Sequence, residues 1–300
     1  MTLQQLRQVL TIAESNSMNE AAKKLFVSQP NLSATVREVE EELGITVFMR
    51  NNRGITVTAE GEEFLGYAKQ VVEQYHLLEN RYLNVESKKK FSVSMQHYSF
   101  AVKAFVQLAK EVGMDEYEFA VHETKTKEVI DNVKNLKSEI GVLYLSDFNE
   151  KVLRKLFKEC DIEFKELFTC NTYVYLWKKH PLAGKKVITL DDLQEYPCLT
   201  FEQGVNNSFY YAEEMMSTYE YKRVIKADDR ATMLNLMVGL NGFTLCSGII
   251  SEDLNGDDYA AIPLKESEKM HIGYIKHKGT KLSKLGEIYI DALKLSLIHI

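Results

Sequence analysis

Between residues 17 and 61 the caps, small residues and apolar positions are spaced so closely that few arrangements of the chain remain open. Ser17 and Glu20 stand ahead of an alanine-rich segment at the separation of a capping box, in which a hydroxyl and a carboxylate satisfy free amides at a helix start. The helix predicted over 18–25 buries Ala21, Ala22 and Leu25, and the two alanines let a second helix approach closely. Phe26 and Val27 make a short turn. Ser28 then caps the next helix, a cap worth about 1 kcal/mol. Pro30 falls in the first turn, where its missing N–H costs nothing.

That second helix has two faces. Leu32, Val36, Val39 and Leu43 recur at helical spacing and are expected in the core. Gln29, Ser33 and Arg37 recur every four residues on the other side, a face that is short, polar and nearly free of bulk at its N-terminal end. Gly44 ends the helix. Residues 47–50 and 55–58 alternate like strands around the turn Asn52-Arg53-Gly54. Two helices, a short turn and a hairpin make a winged helix-turn-helix, a shape that offers hydrogen-bonding side chains to a major groove. Ser28, Gln29, Pro30 and Ser33 are the expected contacts to DNA, and Arg53 at the hairpin tip would meet phosphate or the minor groove. Arg37 either joins them or pairs with Glu40 or Glu41.

The pattern carried by Ala21, Ala22, Leu25, Ser28, Gln29, Pro30, Leu32, Ser33, Val36, Glu40, Leu43, Gly44, Phe48, Arg50, Arg53, Thr58 and Gly61 resembles that of the LysR-type transcriptional regulators. The resemblance implies that Gln29, Pro30 and Ser33 touch DNA and that the wing arginine touches its backbone. Ala34 stands where many relatives carry a basic or polar contact, and Met49 where an acidic residue is common. Residues 1–58 hold Arg7, Lys23, Lys24, Arg37, Arg50 and Arg53 against Glu14, Glu20, Glu38, Glu40, Glu41 and Glu42, so this part is formally neutral. Phosphate neutralisation therefore requires the basic groups to be segregated on one face, with the glutamates at the far end of the second helix. The net charge of −6 arises downstream.

From residue 59 to about 87 there is no proline. Phe64, Ala68, Val71, Tyr75, Leu78, Tyr82 and Val85 alternate in steps of four and three, which is a heptad seam. A helix of this length spans roughly 45 Å at 1.5 Å per residue, and its apolar stripe calls for a partner. The expected partner is a second copy of the chain, so the expected operator is an inverted repeat read by two headpieces. Lys88, Lys89 and Lys90 mark a hinge.

Beyond residue 91 strands alternate with helices, which implies parallel sheet with helical crossovers. Thr189 and Asp192 form another capping box. His180-Pro181-Leu182-Ala183 is read as a structural turn; together with residues 239–243 it also matches the family, more weakly than the headpiece. The resemblance implies an α/β protein with an α-rich N-terminal domain: a winged helix-turn-helix over 1–58, a linker and dimerisation helix over 59–88, and a sensor over 91–294. The sensor would be two lobes like the periplasmic binding-protein fold, lobe 1 taking 91–162 and 269–294 and lobe 2 taking 163–268. Ligands in such folds sit beyond the carboxyl ends of strands, near helix N-termini that favour anions or polar groups. Gln96, His97, Ser99, Thr126, Thr200, Glu202 and Gln203 are the candidates, and relatives hold the effector at positions like Ser99, Thr126 and Thr200. Each also has a plainer reading: the serine and threonines as helix caps, His97 as a surface or capping residue, Glu202 as a solvated loop carboxylate.

Metal-ligand spacing, a phosphate loop and a nucleophile elbow are all missing from the sequence, so no catalytic residue, metal or cofactor is expected. Cys160, Cys170, Cys198 and Cys246 are scattered and read as reduced core residues of a cytoplasmic protein with no export signal. No apolar run is long enough for a membrane span. The closing residues LSLIHI match one translation of a transposase adapter used in library preparation, so 295–300 is expected to be a non-native tail. The expected partners are double-stranded DNA, a small polar metabolite, a second copy of the chain in a homodimer or homotetramer, and RNA polymerase.

Overall fold

The computed structural model describes residues 1–15, 17–51, 54–82, 88–113, 116–206 and 208–298. They form two compact units, Met1–Ser87 and Lys88–Ile300.

In the first unit α1 (Leu3–Ala13) opens on a capping box between Thr2 and Gln5. Helix α2 (Met18–Lys24) begins where the Ser17 hydroxyl accepts the Glu20 amide at 3.2 Å, while the Glu20 carboxylate pairs with Lys24 one turn on. Phe26, in the turn, takes a left-handed φ of +54° with its ring in solvent. Helix α3 (Gln29–Leu43) is capped by Ser28 and ends at Gly44, whose φ of +70° suits a residue without Cβ. Leu32, Val36 and Val39 are buried against Val9, Ile12, Met18 and the alanines of α2. Leu43 is not: it stands 37% exposed, because the core ends one turn before the helix does.

The wing is β1 (Phe48–Asn51) paired antiparallel with β2 (Gly54–Val57), in register Phe48 to Val57. Its base is fixed to α3 by Glu40, whose Oε1 accepts the amides of Val47 at 2.7 Å and Phe48 at 3.0 Å. Helix α4 (Ala59–Tyr82) starts beneath it. A Cβ on Gly61 would lie 2.3 Å from the Val47 carbonyl oxygen, so only glycine lets α4 start that close to the strand.

The heptad stripe on α4 is divided. Phe64 and Ala68 pack on α1 of the same chain, with Leu3, Leu6 and Leu10. That corrects the expectation of an unbroken intermolecular seam: α1 already covers its first turns. Val71, Tyr75 and Leu78 remain exposed, and the Arg7 guanidinium lies 5.4 Å from the Tyr75 ring centre. The Tyr82 side chain and Val85 lie outside the described residues.

The second unit runs β3 (Lys89–Met95), α5 (Ser99–Val112), β4 (Tyr117–Glu123), α6 (Thr126–Lys134), β5 (Ile140–Leu145), α7 (Glu150–Glu159) and β6 (Ile162–Asn171). It continues with β7 (Tyr173–Trp177), α8 (Leu190–Leu193), β8 (Cys198–Phe201), β9 (Val224–Ala227), α9 (Arg230–Leu240), β10 (Thr244–Cys246), α10 (Glu252–Asn255) and β11 (Tyr259–Pro263). Last come β12 (Lys269–His277) and α11 (Lys284–Ile298). One sheet has the order β4-β3-β5-β12-β6, with β3 parallel to β4 and β5, and β12 antiparallel to β5 and β6. The other lobe holds the antiparallel sheet β10-β7-β11 and the parallel pair β8-β9. Strand β6 corrects the expected boundary at 163: it runs along β12 in the first lobe's sheet, so the second lobe starts only after Asn171. The fully buried run of β5 is what a central strand covered on both faces requires.

His180 is structural, as read. Its Nδ1 accepts the Leu182 amide at 3.0 Å, which leaves Nε2 to donate to the Asn241 carbonyl at 2.9 Å. The Thr189–Asp192 capping box is present in full. Helix α11 passes through Leu295 to Ile298 without a break, so the segment read as foreign continues the last helix.

Candidate functional site

Two surfaces are candidates. The first is the N-terminal end of α3, where Ser28, Pro30, Asn31, Ala34 and Arg37 are exposed. Among the described residues Arg37 makes no ion pair with either expected partner, Glu40 or Glu41, and Glu40 is taken up by the wing amides. Ser33 departs from expectation. It is 5% exposed, because α2 packs over the middle of the face and brings Met18 close to it. Ser33 therefore meets Gln29, whose Nε2 donates to its Oγ at 2.8 Å. Asn31 and Thr35 share the open face and were missed, since a motif built on every fourth residue from Gln29 skips them. Arg53 lies outside the described residues.

The second candidate lies between the lobes. Gln96, at the end of β3, is buried; its Nε2 donates to Thr126 Oγ1 at 2.6 Å, and its Oε1 accepts from Tyr98 and from the Tyr144 amide. Thr126 faces the other lobe. Its hydroxyl donates to the Tyr211 carbonyl at 2.7 Å and its amide to Gln203 Oε1 at 3.2 Å. Gln203 Nε2 donates to Glu213 Oε1 at 3.0 Å. Glu213 Oε2 accepts the His97 amide at 3.0 Å and lies 2.7 Å from His97 Nδ1. The His97 ring stacks on Phe201, centres 3.6 Å apart and planes within 4°. Ser99 Oγ accepts the Ser251 amide at 3.3 Å.

Four of the seven sensor candidates are thus drawn into one cross-lobe network: Gln96, His97, Thr126 and Gln203. Two are not. Thr200 points away, because side chains alternate along β8 and the neighbouring Phe201 takes the pocket side. Glu202 is a turn carboxylate: it accepts the Gly204 amide at 2.9 Å and pairs with Lys226 at 3.4 Å, which holds its carboxyl below the usual range.

Beside this network a cavity of about 90 Å³ opens, and His97 and Ser99 reach its wall. The rest of the wall was not anticipated: Tyr175, Phe201, Glu213, Glu214, Met233, Met237 and Thr244 among others. Glu214 is buried, with its Oε1 accepting the Phe201 amide at 2.8 Å; burial, then the neighbouring Glu213, pushes its carboxyl up to about 8. The Thr244 hydroxyl is buried with no hydrogen-bond partner among the described residues, and the buried Tyr175 hydroxyl has Asn255 of the same wall as its polar neighbour. Cys246, also in the wall, is pushed up to about 12 by burial and stays a thiol at neutral pH. All four cysteines are free. Among the described residues no cluster of metal-ligating side chains occurs, and no helix is long and apolar enough to cross a membrane.

A family model described as "Bacterial regulatory helix-turn-helix protein, lysR family" matches residues 3–62, and one described as "LysR substrate binding domain" matches residues 114–296. The HTH-type transcriptional regulator CysL of Bacillus subtilis (strain 168) is 25% identical over 300 residues, covering 96% of this chain and 95% of that protein. BsdA of the same organism, also an HTH-type transcriptional regulator, is 26% identical over 247 residues, covering 79% of this chain and 80% of that one. Among solved structures, a variant of full-length OxyR from Pseudomonas aeruginosa matches with a TM-score of 0.71 over 98% of this chain and 95% of that one, at 19% identity, which is a likeness of fold.

Proposed function

Because the chain belongs to the LysR family of bacterial DNA-binding transcriptional regulators, with a helix-turn-helix and an effector-binding domain, we propose that a small metabolite bound between its two lobes controls how it engages a promoter. One observation carries this reading. The open end of α3 presents Pro30, Asn31, Ala34 and Arg37, small or hydrogen-bonding groups left uncovered by their own unit, while α2 and the wing hold the helix from behind. A face of that kind suits entry into a major groove.

Two copies join through the exposed part of α4, Val71, Tyr75 and Leu78, as a homodimer or a dimer of dimers in the cytoplasm. Their headpieces read an inverted repeat. The metabolite, carrying at least one polar group, binds one arrangement of the lobes better than another, and the shift in population can be no larger than that difference allows. The change reaches the paired headpieces, altering DNA bending and contact with RNA polymerase. The protein works by binding rather than by catalysis.

The test is binding to a promoter fragment beside its own gene, measured by fluorescence anisotropy at modest salt together with the sedimentation of the free protein. A dimer that prefers this fragment over shuffled DNA is expected. A species that stays monomeric and shows no preference overturns the proposal.

A further inference from the structure

We propose that the interlobe cavity takes a compact, mainly apolar molecule whose polar end donates hydrogen bonds, an amine or an alcohol, and that it excludes carboxylates. This rests on the reading of that cavity as the effector site, and it narrows the polar or anionic ligand that the helix starts alone would favour.

The wall itself sets the class. Met233, Met237, Leu245, Ile249 and Ile250 supply an apolar lining for a space of about 90 Å³. Against it stand two buried hydroxyls, Tyr175 at 8% exposure and Thr244 at 7%. The Tyr175 phenol has Asn255 of the same wall as its polar neighbour, whereas Thr244 has no hydrogen-bond partner among the described residues. Buried polar atoms are almost always paired, so the orphaned Thr244 hydroxyl marks where a ligand's polar atom belongs.

The sign of the charge follows from Glu213, which is buried and faces the cavity. Glu213 takes the His97 amide and approaches His97 Nδ1, the donors that an incoming oxyanion would use. The Glu213 carboxylate therefore fills the anion position from within the chain. The guanidinium in the wall, Arg230, is already paired with the Glu123 carboxylate, which offsets its charge, and donates to Asn255 Oδ1 at 3.5 Å. A carboxylate would enter an apolar space beside the buried Glu213 carboxylate, which repels it, whereas an amine or hydroxyl is attracted there and meets the Thr244 oxygen as an acceptor.

Three probes on one six-carbon-or-smaller frame test this: 3-methylbutylamine, 3-methylbutanol and 3-methylbutanoate, titrated into the full-length protein by ligand-observed NMR and by thermal shift. The amine or the alcohol is expected to bind at least about tenfold more tightly than the acid, a difference set by specificity against the wrong charge. The Thr244→Val variant keeps the side-chain shape, removes the hydroxyl, and is expected to weaken the preferred probe several-fold. Thermal melts and NMR of that variant without probe check that it is folded, and Tyr175→Phe serves as the second variant. Equal or tighter binding of the acid, or binding by none of the three, overturns the proposal. If the acid binds and Thr244→Val weakens it, the ligand class is wrong and the cavity assignment stands. If it binds and neither variant affects it, the cavity assignment falls too.

Discussion

Across one turn of α3, the Gln29 side-chain amide donates to the Ser33 hydroxyl at 2.8 Å. The bond ties an exposed end to a buried anchor, so Gln29 is held in place before any DNA arrives. Gln29→Ala is expected to weaken binding to the operator by about 1–3 kcal/mol and to relax preference at one base position. Ser33→Ala is expected to act through Gln29: a smaller loss with the same base position affected. Anisotropy against a panel of single-base operator variants separates the two outcomes. A Ser33→Ala variant that changes a different base position would show that Ser33 contacts DNA on its own.

Glu40 serves the wing in the way Ser33 serves Gln29. Removing its carboxylate leaves the amides of Val47 and Phe48 unpaired in the headpiece core. Glu40→Ala is therefore expected to cost about 2–3 kcal/mol, the scale of hydrogen bonds to a charged group. Hydrogen exchange at the amides of Val47 and Phe48 should rise by roughly the matching factor of 30 to 150. Unchanged protection at both amides would remove Glu40 as the tether.

Leu78 is 54% exposed on α4 and touches little of its own chain. Leu78→Asp is expected to leave the folding of each unit unchanged and to convert the dimer to monomer, with a loss of operator affinity larger than any headpiece substitution gives. Sedimentation velocity at micromolar protein reads the first effect. A variant that remains dimeric would move the self-association to another surface.

Glu214 predicts a pH effect on the second unit. Its folded carboxyl titrates at about 8, above the ordinary glutamate value, because it is buried beside Glu213. A raised acid stabilises the fold fully below the unfolded value and loses that contribution as pH rises through the folded value. Between about pH 5 and 8 the melting temperature of the second unit should therefore fall, and in Glu214→Gln the slope over that window should flatten. Parallel slopes for the two proteins would contradict the burial argument.

What the sequence made legible, and what it hid, follows from range. Helix α3, its Ser28 cap, the Gly44 stop and the wing register are local, and each has a signal within a few residues. The burial of Ser33 is not local, because it depends on how close α2 lies. The lobe to which β6 belongs is not local either, because its pairing partner, β12, comes only after the whole second lobe. Glu213 and Glu214 sit in a stretch of aromatic and acidic residues that resembles a surface loop, and nothing in their spacing announces that both are buried. Tyr175 and Met237 look like ordinary strand and helix core positions until the fold leaves an opening between them. Thr200 lies near the carboxyl end of β8, where ligand contacts are expected, but strand parity gives that opening to Phe201.

The ties between the lobes run through the chain's own groups: Thr126 to Tyr211 and Gln203, and His97 to Glu213. Their combined strength sets a threshold, since a guest that rearranges the lobes must work against them. Every 1.4 kcal/mol added to or taken from such ties moves the half-response concentration about tenfold. Substitutions in the short segment from Tyr211 to Glu213 could thus retune how much of a compound the cell must accumulate before transcription changes, while the compound itself stays the same.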